Sequence, residues 1–236
     1  MCTVTFLPCR DRVYFTSNRD ELRLREMALV PKVVEMSSGR ILFPEDGRAH
    51  GTWIAAHENG NIMVLLNGAF MRHTPHPPYR QSRGLIFLEI FDDTRPVDKI
   101  NDVNLEVIEP FTLVIWQLAE LWEFRWDGET RFMRQLPTDV PILWASATLY
   151  DEQVITNRRK WFSAWLHHRQ LDSIGISDIA AFHEFAGNGD AWNDLKMNRD
   201  GLLLTVSITA IEWTINKTVM QYKDLVTNTT SVNIIP

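Results

Sequence analysis

The stretches MCTVTF (residues 1–6) and RVYFTSNRDE (residues 12–21) decide the fold of this 236-residue chain. Each contains a short run of β-branched and aromatic residues, which is typical of a strand. The turn-forming cluster PCRD (residues 8–11) separates the two runs, so together they predict a β-hairpin. The second predicted strand covers residues 13–17. Because hairpin strands run antiparallel, we expect the segment NRDE (residues 18–21) to return to the amino terminus.

Cys2 stands directly behind Met1. If Met1 is removed, Cys2 carries both a thiol and a free α-amine, and the amine can act as the base that activates the thiol. Both groups have ordinary pKa values of about 8, so proton transfer between them needs little driving force. The alternative is the role we assign to Cys9, which is that of a small buried hydrophobic residue.

Arg19 and Asp20 would bring a cation and a carboxylate to the predicted position of Cys2. A neighbouring cation lowers the pKa of a thiol, and a carboxylate can hold an α-ammonium group. The alternative interpretation of these two residues is a solvated turn with surface charges.

Two other polar residues are candidates for the same site. Asn67 ends the predicted strand NIMVLL, where an Asn before Gly is either a turn residue or a donor to an oxyanion. Arg158 lies on a helix predicted over residues 151–169, and its neighbours three and four positions away are all apolar, so we expect it to face the core. A buried guanidinium needs an anion or several acceptors, so Arg158 is either a structural residue or a cation of the site.

Composition excludes several classes of function. The net charge is -6 and no Lys/Arg-rich stripe is present, so we expect no nucleic-acid partner. The apolar runs are too short to span a bilayer, and the start lacks a basic region followed by an apolar one, so we predict neither a transmembrane segment nor a signal peptide. Two cysteines make no disulfide framework, which favours a cytoplasmic protein. The length and the 45% hydrophobic content suit a single domain over residues 1–236.

Metal and cofactor motifs are missing from the sequence. His73 and His76 lie in the Pro-rich segment RHTPHPPY (residues 72–79), where His73 could line the mouth of a pocket. Two histidines without a third ligand do not predict zinc, and no Gly-rich phosphate or dinucleotide motif is present. We therefore expect no metal and no cofactor.

The remaining elements favour an α+β fold with helices packed on antiparallel sheets. We predict an irregular, charged segment over residues 20–50 and a loop over 72–79. Asp127-Gly128 is predicted as a two-residue hairpin turn. The predicted strands cover residues 52–57, 61–68, 111–117, 121–136 (a hairpin), 142–146 and 201–225 (two or three strands), and the predicted helices cover 82–93, 151–169 and 178–185.

The segments MCTVTF, YFTSNRDE, ILFPEDGRAHGTWIAAHENGNIMVLLNGAF, YRQSRGLI and NRRKWFSAWL resemble the NRDE family, which is named for the tetrapeptide and includes transport and Golgi organisation protein 2. The similarity covers most of the chain and is most specific in its amino-terminal third. That family looks like a branch of the N-terminal nucleophile (Ntn) hydrolases. The resemblance therefore implies a four-layer αββα sandwich of antiparallel sheets.

The start also resembles the choloylglycine hydrolase branch of the Ntn hydrolases. The resemblance implies that Cys2 is the nucleophile and that Asn67 helps to form the oxyanion hole. It likewise places Asn18, Asp20 and Arg158 in the site, while Arg19 is displaced from the position of the arginine in that branch.

One departure from the branch concerns the oxyanion and substrate site. That branch has a second Asn after the strand predicted at residues 142–146. Ser146, Ala147 and Thr148 stand at the corresponding positions here. Part of the site is therefore missing or rebuilt.

The expected function is hydrolysis of a non-peptide C–N amide bond. Cys2 would attack, its α-amine would act as base and then as acid, and Arg19 and Asp20 would orient that end of the chain. Asn18, Ser146 and His73 are predicted to contact a small-molecule substrate. The resemblance also implies an alternative, a protein that binds or carries an apolar ligand such as haem or a lipid (acyl-CoA) on the same scaffold.

Overall fold

The computed structural model describes residues 3–235, so Met1 and the predicted nucleophile Cys2 lie outside the described residues. Strands dominate this part of the chain. The strands are β1 (Thr3–Pro8), β2 (Arg12–Leu22), β3 (Leu29–Met36), β4 (Gly39–Glu45), β5 (Ile54–His57), β6 (Ile62–Asn67), β7 (Phe111–Gln117), β8 (Glu120–Trp126), β9 (Arg131–Leu136), β10 (Ile142–Ala145), β11 (Asn198–Arg199), β12 (Leu203–Thr214), β13 (Lys217–Asp224) and β14 (Thr229–Ile235). The helices are α1 (Arg83–Phe91), α2 (Pro96–Lys99), α3 (Glu152–His167) and α4 (Ile176–Phe185).

These strands form two antiparallel sheets. The first sheet has the order β10-β1-β2-β12-β13-β14, with the short β11 beside β12. The second sheet runs from β3 to β9 in chain order. Helices α3 and α4 contact the first sheet, and α1 and α2 contact the second. The predicted α+β fold with four layers, αββα, is therefore confirmed.

The alternation of side chains in the first hairpin explains why the layers stack in this way. Phe6 and Phe15 point into the core between the two sheets. Leu7 and Tyr14, one position along, pack instead under α3 and α4 with Phe162. Because strand residues alternate between faces, a strand that is apolar on both faces must be covered on both sides. The predicted hairpin therefore sits in the middle of the sandwich.

The segment NRDE lies inside β2 rather than after it, so the prediction that the strand ends at residue 17 is wrong. β2 continues to Leu22, and the antiparallel register pairs Asn18 with Thr3. Charged residues are depleted in strands because burial of an unpaired charge is costly. In this strand the charged side chains find partners on both faces of the sheet, which the sequence pattern does not reveal.

Residues 20–50 hold the hairpin of β3 and β4, so the prediction of an irregular segment there is also wrong. β3 is an edge strand that contains Pro31, Lys32 and Glu35. Proline and charged residues are tolerated at sheet edges, where they discourage unwanted pairing. Because β3 contains these residue types, its hydrophobic pattern does not predict a strand.

The hairpin of β8 and β9 is confirmed, but its turn is longer than predicted. Trp126 pairs with Arg131, so the connection has four residues rather than the predicted Asp127-Gly128 alone. Asp127 Oδ1 accepts hydrogen bonds from the backbone N–H groups of Glu129 at 2.9 Å and Thr130 at 2.7 Å. The aspartate side chain therefore replaces the tight backbone turn that the sequence suggested.

No helix within residues 3–235 combines the length and apolar character that crossing a membrane requires.

A close backbone approach ties α1 to the segment before β5. A Cβ atom on Gly51 would lie 2.3 Å from the carbonyl carbon of Gly84, and Thr52 N donates to Gly84 O at 3.3 Å. Only glycine at position 51 leaves room for this contact, because backbone atoms cannot move aside as a flexible side chain can.

We therefore expect Gly51→Ala to lower the free energy of unfolding by roughly 1–3 kcal/mol, as overpacking does. Gly175→Ala is the matched control, because a Cβ there would meet no atom closer than 3.6 Å. Urea denaturation of both variants measures the difference. Equal losses would show that the contact between Gly51 and Gly84 does not constrain the fold.

Candidate active site

The NRDE residues divide between the two faces of the first sheet. Asn18 and Asp20 point outward, toward α4 and the segment before β11, whereas Arg19 points into the space between the sheets. All three are buried, with at most 4% of each residue exposed. All three residues therefore lie near the amino-terminal end of β1. Asn18 and Asp20 are on the outer face of the sheet, and Arg19 is on the inner face.

Two hydroxyl groups hold the Asp20 carboxylate on the outer face. Tyr150 Oη donates to Asp20 Oδ2 at 2.6 Å, and Thr205 Oγ1 donates to Asp20 Oδ1 at 2.5 Å. Tyr150 lies just before α3 and Thr205 lies on β12, so the carboxylate joins distant parts of the chain. Each carboxylate oxygen is thus satisfied by a donor, as a buried anion requires.

Arg158 on α3 is fully buried, as its apolar neighbours on the helix predict. Its Nη1 donates to the hydroxyl of Thr3, and its Nη2 donates to the carbonyl oxygens of Asn193 at 3.0 Å and Asp194 at 2.7 Å. Its guanidinium carbon lies 3.7 Å from the centre of the Tyr150 ring. Among residues 3–235 no carboxylate forms an ion pair with it, so backbone carbonyls, a hydroxyl and a ring stabilise the charge.

Asn18 belongs to a second part of the same buried cluster. Its Nδ2 donates to the carbonyl oxygens of Leu195 at 2.8 Å and His183 at 3.2 Å, and its Oδ1 accepts a hydrogen bond from His183 Nδ1. His183 Nε2 then accepts from the hydroxyl of Thr5 at 2.8 Å. Burial, followed by the positive charge of Arg158, lowers the pKa of His183 to about 3. The imidazole is therefore neutral and carries its proton on Nδ1.

The inner face opens into a cleft of about 590 Å³ between the two sheets. Arg19 enters it from the first sheet, and Trp53 and Asn67 enter it from the second. The guanidinium carbon of Arg19 lies 4.7 Å from the centre of the Trp53 ring. Arg19 and Asn67, predicted from widely separated motifs, therefore line the same cleft.

An ion pair fixes Arg19 in this cleft. Its Nη2 lies 2.5 Å from Asp46 Oδ2, and Arg25 binds the same carboxylate with two nitrogens at 3.0 and 2.9 Å. Burial alone would raise the pKa of Asp46, but hydrogen bonds from Arg25 and from the Ala49 N–H group, with the charge of Arg19, hold the pKa at about 2. Asp46 therefore stays charged and locks the orientation of Arg19.

Ser146 and His73 have side-chain partners of their own. Ser146 Oγ donates to the carbonyl oxygen of Asn67 at 2.9 Å and lies 2.8 Å from Thr148 Oγ1. His73 Nε2 lies 3.2 Å from Glu109 Oε1 at the edge of the cleft. Their predicted substrate contacts stay predictions. Ser146 joins the ends of β10 and β6, and so helps to fix the backbone of Asn67.

The model of the family described as Transport and Golgi organisation 2 matches residues 1–190. The chain belongs to this family. No curated protein matches the chain significantly by sequence.

Solved structures share the fold at low sequence identity. A mutant conjugated bile acid hydrolase from Clostridium perfringens has a TM-score of 0.61 at 10% identity, with 99% of this chain and 92% of that chain covered. A second variant of that enzyme gives 0.60 at 12% identity, with coverage of 98% and 92%. An N-acylethanolamine-hydrolyzing acid amidase ortholog from Caenorhabditis elegans gives 0.52 at 11% identity, with coverage of 91% and 100%. The scaffold of this family member is therefore Ntn hydrolase-like.

Sequence reasoning missed most of the partners that hold the site residues. These are Thr3, Thr5, Asp46, Trp53, Tyr150, His183 and Thr205. One signal was available for two of them, because Thr3 and Thr5 alternate with the apolar residues Val4 and Phe6 in the first predicted strand. A buried threonine needs a hydrogen-bond partner, which predicts a polar cluster without naming its other members.

Arg158 should contribute strongly to stability. Arg158→Met removes the donor to three acceptors, on Thr3, Asn193 and Asp194, and should lower the free energy of unfolding by roughly 1–3 kcal/mol or more. Arg159→Met is the matched control, since that side chain on the same helix is 55% exposed. Urea denaturation compares the two. Equal stability would contradict the packing described for Arg158.

His183 should make the fold sensitive to acid. The unfolded chain takes up a proton at this residue below about pH 6.5, whereas the folded chain does not do so until about pH 3. The free energy of unfolding should therefore decrease as the pH is lowered from 6.5 to 4.5. This group contributes at most about 1.4 kcal/mol per pH unit to that decrease. His183→Gln should flatten the slope in urea titrations across this range, and the exposed-site variant His168→Gln should not. An unchanged slope in His183→Gln would show that His183 is not the responsible group.

Proposed function

We propose that this protein is an Ntn-type hydrolase of a non-peptide C–N amide bond, with Cys2 as nucleophile after removal of Met1. The observation that carries the proposal is the convergence of Arg19 and Asn67 on one cleft between the sheets, at the end of the sandwich where β1 begins. The structural neighbours named as a conjugated bile acid hydrolase and an acid amidase support the reaction class.

Continuity of the strand supports a position for Cys2 beside this cleft. Thr3, which pairs with Asn18 and Ala145, points outward, and Val4 points into the core between the sheets. Alternation continued by one residue would turn the Cys2 side chain toward the same space as Arg19.

The proposed chemistry needs only the terminal residue and donors to an oxyanion. The thiol proton of Cys2 passes to its own α-amine, and the sulfur attacks the amide carbon. The Asn67 carboxamide, which makes no hydrogen bond within residues 3–235, donates to the resulting oxyanion. The C–N bond then breaks, and the leaving nitrogen takes the proton from the α-ammonium group. Water, deprotonated by the freed amine, cleaves the thioester to give a carboxylic acid and restores the thiol.

The outer cluster has a positioning role in this mechanism. Arg158 holds Thr3, the neighbour of Cys2, while Tyr150 and Thr205 hold Asp20 near the same end of β1. A catalytic group must stay within a fraction of an ångström of its productive position. A fully buried hydrogen-bonded network can provide that rigidity.

A second candidate function is the binding of an apolar ligand such as haem or a lipid. A separate pocket of about 400 Å³ adjoins the cleft and shares Arg19, Glu21 and Arg25 with it. Leu204, Val206 and Tyr222 contribute to its apolar wall. This candidate requires neither removal of Met1 nor a reactive Cys2, which separates it from the hydrolase.

Alkylation at pH 6 tests the hydrolase proposal. The α-ammonium group and Arg19 should lower the pKa of the Cys2 thiol, and a cationic environment can bring a thiol to about 3.5–7.5. Cys9 is an internal control, because burial, followed by the charge of Asp172, raises its pKa to about 11. Iodoacetamide should therefore modify Cys2 at least about tenfold faster than Cys9, as measured by peptide mapping after brief exposure.

Two results would contradict this proposal. One is retention of Met1 in protein produced in a cell with active methionine aminopeptidase, seen by intact mass. The other is a Cys2 that reacts no faster than Cys9. Either result would leave the apolar-ligand function as the better account.

A further inference from the structure

Trp53 presents a buried donor that has no acceptor in the part of the chain that the structure describes. The residue is 3% exposed, and its Nε1–H group has no hydrogen-bond partner within residues 3–235. Other tryptophans satisfy this group: Trp126 Nε1 donates to Ile108 O at 3.0 Å, and Trp144 Nε1 donates to Glu123 at 2.7 Å. Buried indole N–H groups normally find a partner, because an unsatisfied one costs free energy.

The Trp53 side chain, which carries this unsatisfied donor, lies on the same sheet face as Asn67. Leu65 N on β6 donates at 2.8 Å to the carbonyl oxygen of Trp53, the residue directly before β5, so these two residues continue the pairing of Ile54 with Val64 and oppose each other. Leu65 and Asn67 are two positions apart on β6 and therefore share a face. Diagonal neighbours of this kind have side chains about 7–8 Å apart at their bases, which one ligand atom can bridge. All three residues line the cleft between the sheets.

Arg19 holds the Trp53 ring from the opposite sheet. Its guanidinium carbon lies 4.7 Å from the ring centre, and Asp46 fixes the guanidinium in turn. The ring is therefore placed between an ion-paired cation and the second sheet. A side chain held in this way keeps its donor in one orientation, which suits recognition of a single acceptor atom.

The hydroxyl of Ser146 does not serve as a second donor to an oxyanion in this structure. The resemblance to the choloylglycine hydrolase branch implies a second Asn after β10, where this chain has Ser146. The hydroxyl proton of Ser146 goes to the carbonyl oxygen of Asn67 at 2.9 Å. The position expected to contribute a donor is thus occupied in holding Asn67 in place.

We propose that Trp53 Nε1–H is this second donor, a catalytic residue that binds the carbonyl oxygen of the substrate together with Asn67. The catalytic role rests on the proposed hydrolase function, but the binding of an acceptor oxygen does not. Because the indole nitrogen only donates, it binds the oxygen of an amide carbonyl or a carboxylate and cannot bind a group that offers donors alone.

Binding is tested by NMR of the tryptophan indole groups. Trp53→Phe assigns the Trp53 Nε1–H signal by its loss from the ¹H–¹⁵N spectrum. Titration with butyramide or butyrate should move that signal downfield in a saturable manner, and butylammonium, a donor without an acceptor, should not move it. No shift of the Trp53 signal with either acceptor, or an equal shift of all indole signals, would overturn the proposal.

Two reagents separate a catalytic from a structural role. Acylation of Cys2 by p-nitrophenyl acetate passes through an oxyanion, whereas alkylation by iodoacetamide does not. Trp53→Phe should slow acylation by roughly 100–1,000-fold, in the range seen for loss of one oxyanion donor, and leave alkylation within about twofold. A parallel fall in both rates, or no fall in either, would overturn the catalytic role.

Stability provides a matched control. Trp126→Phe loses ring area and also leaves the carbonyl of Ile108 without its donor, whereas Trp53→Phe loses ring area, keeps a ring facing Arg19 and leaves no acceptor among residues 3–235 without its donor. The melting temperature should therefore fall less in Trp53→Phe than in Trp126→Phe. The reverse order would show that the Trp53 indole is a structural group. If Cys2 proves unreactive while the Trp53 signal still shifts with butyrate, the hydrolase function fails and the acceptor site stands.

Discussion

The rest of the structure depends on the burial of Arg19 and Asp20 as neighbours near the carboxyl-terminal end of β2. Buried charges must find partners, and adjacent strand residues face opposite sides of the sheet. Arg19 therefore requires an anion from the second sheet, which Asp46 supplies. Asp20 requires donors from the outer layer, which Tyr150 and Thr205 supply. This one strand thus ties both sheets and the outer segment to the amino-terminal end of β1.

The two faces contribute different physical environments to the candidate site. The outer cluster is closed: Arg158 is fully buried against carbonyls, a hydroxyl and a ring, and His183 is neutral because its pKa is lowered to about 3. The inner face is a cleft of about 590 Å³ lined by Asn67 and Trp53, and the Trp53 Nε1–H group has no acceptor among residues 3–235. Satisfied buried groups rigidify a site, and an unsatisfied buried group that lines a cleft is a candidate contact for a ligand. The chemistry we propose follows from this division.

Hydrophobic patterning predicted the strands and helices whose apolar residues keep a regular period, such as β1, β6, β7 and α3. It missed β3, because an edge strand carries charges and Pro31 where a core strand would not. It placed Arg158 inside, because four apolar neighbours on a helix define a buried face. It did not find Asp46, Tyr150 or His183, because their partners are distant in sequence and only the tertiary fold brings them together.

The most direct test of the central claim is a crystal structure of the mature protein with Cys2 alkylated by iodoacetamide. The carbonyl oxygen of the adduct stands in for the oxygen of a substrate amide. Our account predicts that this oxygen lies in the cleft between the sheets, about 2.7–3.2 Å from Asn67 Nδ2 and Trp53 Nε1. An adduct that points to the outer face beside Asp20, or into solvent with both donors unoccupied, would contradict it.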